Sequence, residues 1–209
     1  MLTCAATLAW IGARTKIDIT NDEIGAPPSG FDLAQTGVGD PGQWAIVRDA
    51  TAGDGVAIEH RSTDQHDDRF PLAIYRPVTL ESLEASVRFK IILGTMQAAG
   101  LAIGVCNMQS YCAVSASALE QRVDLLLFAK GQITRIESAE GEVVLDRWHM
   151  LRVIANDDHF TVALDGKELF VTFDRARGKD GRAALWMQED NVTRFDQLEI
   201  HPLPAPRID

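Results

Sequence analysis

The fold class that this sequence predicts is all-β, a sandwich or a barrel, and three observations predict it. Segments with the 3.6-residue hydrophobic period of a helix are absent at useful length. About ten to thirteen short strand-like runs are separated by turn signals about every 8 to 12 residues, a spacing typical of sandwiches and barrels. Asp165-Gly166, between alternating apolar residues, is a strong hairpin signal because both turn residues require positive φ.

The Asp165-Gly166 hairpin also predicts a register. If the loop consists of these two residues, Val162 faces Leu169 and Phe160 faces Val171. Both cross-strand pairs are apolar and lie on one face, so the register is self-consistent.

The other strands follow from apolar runs bounded by turn residues. Lys16 to Gly42 is rich in Pro and Gly and is predicted to be an edge segment that wraps the domain. Predicted strands then occupy residues 44–47, 56–60, 72–75, 83–93, 99–105, 111–118, 123–129 and 133–136. An acidic loop over residues 137–142 leads to the series of strands from Trp148 to Ile200.

The length of 209 residues fits one domain, which we place at residues 16–203, with an extended Pro-rich tail at 204–209. Residues 1–15 are either the remnant of a secretory leader or an edge strand; the stretch is apolar but lacks the early basic residues of a signal peptide. An extracellular or periplasmic protein is therefore predicted, or a cytoplasmic one if residue 1 is the true start.

Composition excludes some partners. The chain has 20 Lys and Arg against 30 Asp and Glu, a formal charge of −10, which argues against binding to nucleic acid. No apolar run reaches 18 residues, so no membrane span is predicted.

Three cysteines are too few for a disulfide scaffold; Cys106 and Cys112 are either a cross-strand disulfide or two thiols packed as small apolar residues. The oligomeric state is not indicated.

Several segments together resemble a known superfamily. They are Trp148-His149, the hairpin from Phe160 to Phe170, the run from Gly181 to Trp186 and the run from Val192 to Leu198. The chain resembles the concanavalin A-like lectin/glucanase superfamily over about residues 18–203, nearest the laminin-G-like group with the 3-keto-disaccharide hydrolase domains. The resemblance implies a jelly-roll β-sandwich of two curved antiparallel sheets. Trp148 and Trp186 are large enough to fill the space between such sheets.

A glycan is the ligand that this resemblance implies, held on the concave sheet by an aromatic platform with flanking polar groups. The candidate ligand-binding residues are Arg69, Tyr75, Arg88, Tyr111, Ser115 and Ser117. Ser115 and Ser117 stand where such domains often carry Arg and Asn, so the usual polar anchors are shortened here.

The resemblance also implies a structural Ca²⁺, for which Asp196 is the matching carboxylate together with carbonyls near the N-terminus. The alternative is that Asp196 caps a turn or accepts backbone N–H groups. The loop with Asp64, His66, Asp67 and Asp68 does not have a spacing that specifies a metal, and a solvated polar loop is the prediction there.

No catalytic residue is predicted. The Glu-x-Asp-x-x-Glu strand motif of retaining glycosidases is absent, and Glu137, Glu140 and Glu142 are interpreted as a solvated turn. The leading hypothesis is a non-catalytic secreted or periplasmic binding domain, for carbohydrate. The alternatives are a glycoside-cleaving enzyme of the 3-keto-disaccharide hydrolase type, with its site near Glu59, His60, His66 and Arg69, and a protein–protein adhesion module.

Overall fold

Two antiparallel sheets face each other, and no helix occurs among the described residues. The computed structural model describes residues 14–39, 42–64, 68–173 and 181–204. The first sheet consists of β1 (Thr15–Lys16), β3 (Gln43–Arg48), β4 (Val56–Arg61), β6 (Leu83–Gly94), β11 (His149–Asn156), β12 (His159–Leu164), β13 (Lys167–Phe173) and β15 (Asn191–Pro202). The second sheet consists of β2 (Phe31–Thr36), β5 (Phe70–Tyr75), β7 (Ala98–Asn107), β8 (Ser110–Ser117), β9 (Arg122–Ala129), β10 (Gln132–Glu140) and β14 (Arg182–Met187).

The strand order is β13-β12-β11-β6-β15-β4-β3 in the first sheet, with β1 also paired to β15, and β10-β9-β8-β7-β14-β5-β2 in the second. Most neighbours are therefore distant in sequence, as the long connections of a jelly roll require. The predicted all-β jelly-roll sandwich is confirmed. No described segment forms a helix with the length and apolar character needed to cross a membrane.

The main core lies between the two sheets and follows from alternation along the strands. On β6, Ala85, Val87 and Phe89 are buried in this core, whereas Glu84 and Arg88 are on the opposite face. Because side chains alternate between the faces of a strand, this pattern fixes which face of the sheet packs against the other sheet.

The Asp165-Gly166 turn is confirmed, since φ is +50° at Asp165 and +82° at Gly166. The register predicted from it is wrong. Val162 pairs with Phe170, and Phe160 pairs with Thr172, because a β-bulge lies between Val162 and Ala163 in the pairing. The bulge allows the consecutive residues Leu169 and Phe170 both to pack against the core, which a regular strand would not.

The predicted acidic loop at residues 137–142 is also partly wrong. Strand β10 continues to Glu140 and pairs with β9 as far as Glu140 opposite Arg122. A bulge between Arg135 and Glu137 interrupts the alternation that would have revealed the strand in the sequence.

The two tryptophans that were expected between the sheets lie elsewhere. On β14, Ala183, Leu185 and Met187 point into the main core, so Trp186 lies on the outer face of the second sheet. Trp148 precedes β11, and Arg88 and Lys90 lie over its ring at 4.8 and 4.9 Å from the centroid. For Trp186 that prediction is wrong because strand parity, and not side-chain size, decides which face a residue occupies; for Trp148 it is wrong because the residue precedes the strand.

Cys106 and Cys112 do not stand opposite each other in the ladder. Cys112 pairs with Ile103 and is buried in the main core, whereas Cys106 is exposed. Residues 1–13 of the predicted leader remnant or edge strand (1–15), His66, Asp67 and residues 205–209 of the predicted tail (204–209) lie outside the described residues.

Candidate functional site

The outer face of the second sheet is concave, and its own side chains fill much of it. Strands β8 and β2 are separated by β7, β14 and β5, which would place them roughly 19 Å apart in a flat sheet. Nevertheless, the Tyr111 hydroxyl on β8 donates a hydrogen bond to Thr36 Oγ1 on β2, at 2.9 Å. The sheet therefore curls until its distant strands are in contact.

Four aromatic side chains fill this concave face, and we call them the aromatic cluster: Phe70, Tyr111, Phe128 and Trp186. Phe70 stacks on Trp186 with ring centroids 5.5 Å apart, and Tyr111 stacks on Phe128 at 4.3 Å. None of the four is more than 4% exposed. Burial raises the pKa of Tyr111, so its hydroxyl stays protonated and can donate to Thr36.

Three of the predicted ligand-binding residues lie on this face. Tyr111 belongs to the aromatic cluster, and Ser115 and Ser117 are buried. Ser117 Oγ accepts the backbone N–H of Glu120 at 3.1 Å and so supports the turn between β8 and β9. The structure therefore brings Tyr111, Ser115 and Ser117 together on the predicted face. Neighbouring protein side chains bury all three of them.

The other three predicted residues are dispersed. Arg69 is fully buried and donates to the carbonyl of Glu189. Tyr75, at the opposite end of β5, packs against the main core with its ring 5.4 Å from that of Phe31. Arg88 lies on the outer face of the first sheet, away from the concave face. No single site contains all six residues.

Asp196 is held by protein groups in the first sheet. Its Oδ2 accepts the backbone N–H of Gly53 at 2.7 Å and lies 3.2 Å from the guanidinium of Arg88, whereas Oδ1 is buried and has no hydrogen-bond partner. Burial raises the pKa of the carboxyl. Among the described residues no three His, Cys, Asp or Glu side chains group as metal ligands. One carboxylate beside a guanidinium does not make the six to eight oxygen ligands of Ca²⁺, and the calcium prediction stays untested.

The outer face of the first sheet carries a network of ion pairs around a buried carboxylate. Asp49 Oδ2 lies 2.8 Å from Lys90 and 3.0 Å from Arg194, and Arg194 also bonds Glu59 at 2.8 Å. Burial alone would raise the pKa of Asp49, but hydrogen bonds from Lys90, Thr51 and Arg194 outweigh it and hold that pKa well below its usual range.

The enzyme hypothesis needed Glu59 and His60 to act together with Arg69. The structure places Glu59 in that outer-face network, whereas the His60 ring packs against Trp44 with centroids 4.7 Å apart. Neighbouring residues of a strand point to opposite faces, so the two side chains do not share a site. His66 lies outside the described residues.

A different region forms an open cavity, which we call the edge crevice. It lies where the β8–β9 turn, the end of β10 and the β12–β13 hairpin meet, and its volume is about 660 Å³. Its lining residues are Glu120, Gln121, Glu140, Gly141, Glu142, Arg147, His149, Leu164, Asp165, Lys167 and Leu169. Its volume is within the range of small-molecule binding pockets.

Asp165 shapes one wall of the edge crevice. Its Oδ1 accepts the backbone N–H of Met150 at 2.8 Å, and its Oδ2 lies 2.7 Å from Nδ1 of the buried His149. The backbone N–H of Val144 donates to Nε2 of the same ring at 2.9 Å. Both ring nitrogens of His149 are therefore engaged by protein groups.

The floor of the edge crevice depends on a glycine. A Cβ at Gly141 would come within 3.0 Å of Val123 Cγ2 and 3.3 Å of Leu164 Cδ2. The N–H of Gly141 donates to the carbonyl of Gln121 at 3.0 Å, which ties the β8–β9 turn to the end of β10. Glycine therefore permits the close approach of these segments and keeps the floor open.

Sequence reasoning missed the edge crevice. Glu140 and Glu142 were interpreted as a solvated turn, but they are part of its lining, and Asp165 was read only as a turn residue. The residues come from three segments far apart in the chain. Only the Asp165-Gly166 signal could have located one wall in advance.

The chain matches no protein-family model and no curated protein sequence. Solved structures match its fold. A carbohydrate-binding module, CBM66 from Bacillus subtilis, matches at a TM-score of 0.63 and 16% identity, covering 81% of this chain and 94% of that one. Domain 4 of AbnA, a GH43 extracellular arabinanase from Geobacillus stearothermophilus solved with arabinotriose, matches at 0.58 and 12%, covering 94% of each chain. A Bacillus subtilis protein of unknown function with a galectin-like fold matches at 0.56 and 10%, covering 84% and 91%. At these identities the likeness shows the fold.

Proposed function

We propose that this chain is a non-catalytic carbohydrate-binding domain and that the edge crevice is its glycan site. The observation that carries the proposal is the chemistry of the crevice: carboxylate, amide, guanidinium and ammonium groups surround an apolar floor in an open cavity of about 660 Å³. Sugars present hydroxyl donors and acceptors around an apolar ring, so such a lining complements them. A second cavity of about 520 Å³ opens beside the aromatic cluster, with Phe70, Phe128 and Ile133 in its lining, but Asp68 is the one charged residue among the described residues that line it.

The structural neighbours support a glycan ligand. One is described as a carbohydrate-binding module, and another as a domain of an extracellular arabinanase bound to arabinotriose. A secreted or periplasmic location agrees with that role and is part of the proposal. The finer relationship to laminin-G-like or 3-keto-disaccharide hydrolase domains stays a hypothesis.

A non-catalytic role is proposed because the sequence lacks the paired-carboxylate strand motif of retaining glycosidases and because His149 in the crevice is engaged by protein groups. A general base needs a ring nitrogen within reach of the proton it removes. In the crevice, Nδ1 of His149 contacts Asp165, and Nε2 accepts the backbone N–H of Val144. The imidazole therefore has a structural role.

A direct test combines a glycan array with calorimetric titration of the glycans that bind. The double variant Arg147→Ala/Lys167→Ala removes two hydrogen-bond donors from the crevice. We expect it to bind at least about tenfold more weakly, a loss of about 1.4 kcal/mol. Arg48→Ala, an exposed arginine on β3 outside the crevice, is the control and should bind like the parent.

Two outcomes would contradict the proposal. A double variant that binds as tightly as Arg48→Ala would remove the crevice as the site. A parent protein that binds no glycan on the array, with or without EDTA, would remove the carbohydrate function. A fall in melting temperature with EDTA, reversed by added Ca²⁺, would support the calcium prediction.

The second candidate function is protein–protein adhesion, favoured by exposed apolar residues on the edge strand β13. Val171 is 52% exposed and Phe173 is 61% exposed. The double substitution Val171→Thr/Phe173→Thr should abolish self-association or partner binding if this strand is an interface, without changing glycan binding. Unchanged light scattering and unchanged binding to any partner would contradict this candidate.

A further inference from the structure

We infer that the edge crevice selects neutral, hydroxyl-rich glycans and rejects glycans whose sugars carry carboxylates. This inference rests on the proposed function, because it characterises the ligand of the same site.

The charges of the lining are unequal. Four carboxyl groups line the crevice, on Glu120, Glu140, Glu142 and Asp165, against two cations on Arg147 and Lys167. Among the described lining residues, four carboxylates and two cations give −2 without His149, whose ring nitrogens are both engaged by protein groups. The chain as a whole carries −10, so no wider positive field compensates this local excess.

Two of the four carboxylates already have protein partners. Glu120 lies 2.7 Å from Arg122, and Asp165 holds His149 and the Met150 amide. Within the described ranges of the chain, the side chains of Glu140 and Glu142 make no hydrogen bond or ion pair. They are the acceptors left for a ligand.

Unpaired donors stand in the same cavity. Arg147 and Lys167 likewise make no side-chain hydrogen bond or ion pair with any residue that the structure describes, although Glu140 and Glu142 line the same cavity. A ligand that both donates and accepts can satisfy all four groups at once. A sugar hydroxyl does both, because it has one O–H donor and two acceptor lone pairs.

A carboxylated sugar suits the site less well. An ionised carboxylate accepts hydrogen bonds from Arg147 or Lys167 but cannot donate to Glu140 or Glu142, and the excess of negative charge in the lining repels it. The repulsion acts over the width of the crevice and weakens with salt, because the screening length falls from about 30 Å at 0.01 M to about 8 Å at 0.15 M.

Aromatic stacking is not available to offset this repulsion. Among the residues that the structure describes, no Phe, Tyr or Trp side chain lines the crevice. The aromatic cluster is buried in the concave face, and Trp148 lies over Arg88 and Lys90 on the first sheet. Recognition therefore depends on hydroxyl hydrogen bonds, which are sensitive to charge at the site.

The experiment uses matched glycan pairs at 0.01 M and 0.15 M salt, titrated by calorimetry into the full chain. The probes are cellohexaose with a hexamer of β-1,4-glucuronate, galactohexaose with hexagalacturonate, and arabinohexaose and laminarihexaose as further neutral glycans. We expect at least one neutral glycan to bind and both uronates to bind at least about tenfold more weakly at 0.01 M, with a smaller difference at 0.15 M.

The variant Glu140→Gln/Glu142→Gln tests the cause, because it removes two charges and keeps hydrogen-bonding groups of similar size. We expect it to raise uronate affinity by about fivefold or more at 0.01 M salt. Glu168→Gln, an exposed site on β13 outside the crevice, should leave uronate affinity unchanged.

The outcomes separate the two proposals. A uronate that binds as tightly as its neutral partner, or a double variant with unchanged discrimination, would overturn the selectivity while the glycan function stands. No binding by any of the six probes or by any glycan on the array would overturn the function itself, and the selectivity with it.

Discussion

The concave face of the second sheet and the edge crevice differ in what fills them. The concave face is the expected ligand surface of such a sandwich, yet the aromatic cluster occupies it with side chains that are almost fully buried. The edge crevice lies at the margin of both sheets, stays open, and is lined by charged groups. Curling that brings β2 against β8 packs the aromatic cluster into a second core on this face.

The shape of the sheet decides which polar groups remain available to a ligand. Large apolar surfaces that come into contact across a curled sheet are stabilised by leaving water. Charged side chains at the margin keep their hydration and stay open to a ligand. A ligand site inferred from fold position alone would have been placed on the closed face.

The largest expected loss of stability comes from removing a buried ring of the aromatic cluster. Trp186→Ala should lower the free energy of unfolding by about 3–5 kcal/mol, because Trp186 is fully buried against Phe70 and Phe128. Urea denaturation measures the change. Trp148→Ala, the matched tryptophan at the surface, should cost clearly less. A loss below about 1 kcal/mol at Trp186, accompanied by loss of glycan binding, would make Trp186 a ligand platform.

The second effect tests the wall of the crevice. Asp165→Ala should cost about 2–3 kcal/mol, since it removes the acceptors of His149 and the Met150 amide and places alanine at a φ of +50°. Asp165→Asn tolerates that φ and keeps one acceptor, so it should cost about half as much. Guanidinium denaturation, with nitrogen NMR of the His149 ring, checks both. Equal costs for Ala and Asn would contradict the assigned role.

The third effect concerns Asp49, whose charge stabilises the fold, in contrast to the carboxylates that line the edge crevice. Asp49→Asn should cost about 2 kcal/mol at pH 7, because Lys90 and Arg194 lose their buried partner. The folded pKa of Asp49 is lowered, so its stabilisation is present above the unfolded value of about 3.9 and is lost as pH falls through the folded value. The difference between parent and variant should therefore shrink from pH 5 towards pH 2. A difference that grows on acidification would contradict this sign.

The smallest stability effect comes from one hydrogen bond in the closed face. Tyr111→Phe should cost about 1 kcal/mol, because it removes the bond to Thr36 that joins β8 to β2 and keeps the ring stacked on Phe128. Glycan binding should not change, as calorimetry will show. A Tyr111→Phe protein of normal stability that no longer binds glycans would move the site back to the concave face.

The fold could be predicted from the sequence because its signals are local. Strand parity in β6, the Asp165-Gly166 turn and the spacing of turn residues each depend on neighbouring residues. The placements of Trp186 and Glu140 could not be predicted from the sequence. The position of Glu140 depends on a bulge in β10, and that of Trp186 depends on the strand order and the curl of the whole second sheet. The candidate site is assembled from distant segments, and only Asp165 carried a local signal.

The most direct test of the central claim is an NMR titration of the labelled chain with the neutral glycan that binds most tightly. We expect the largest amide shift changes at Gln121, Gly141, His149 and Lys167, around the edge crevice. Largest changes at Ser115, Ser117 and Trp186, with the crevice amides unmoved, would contradict it and return the binding site to the concave face.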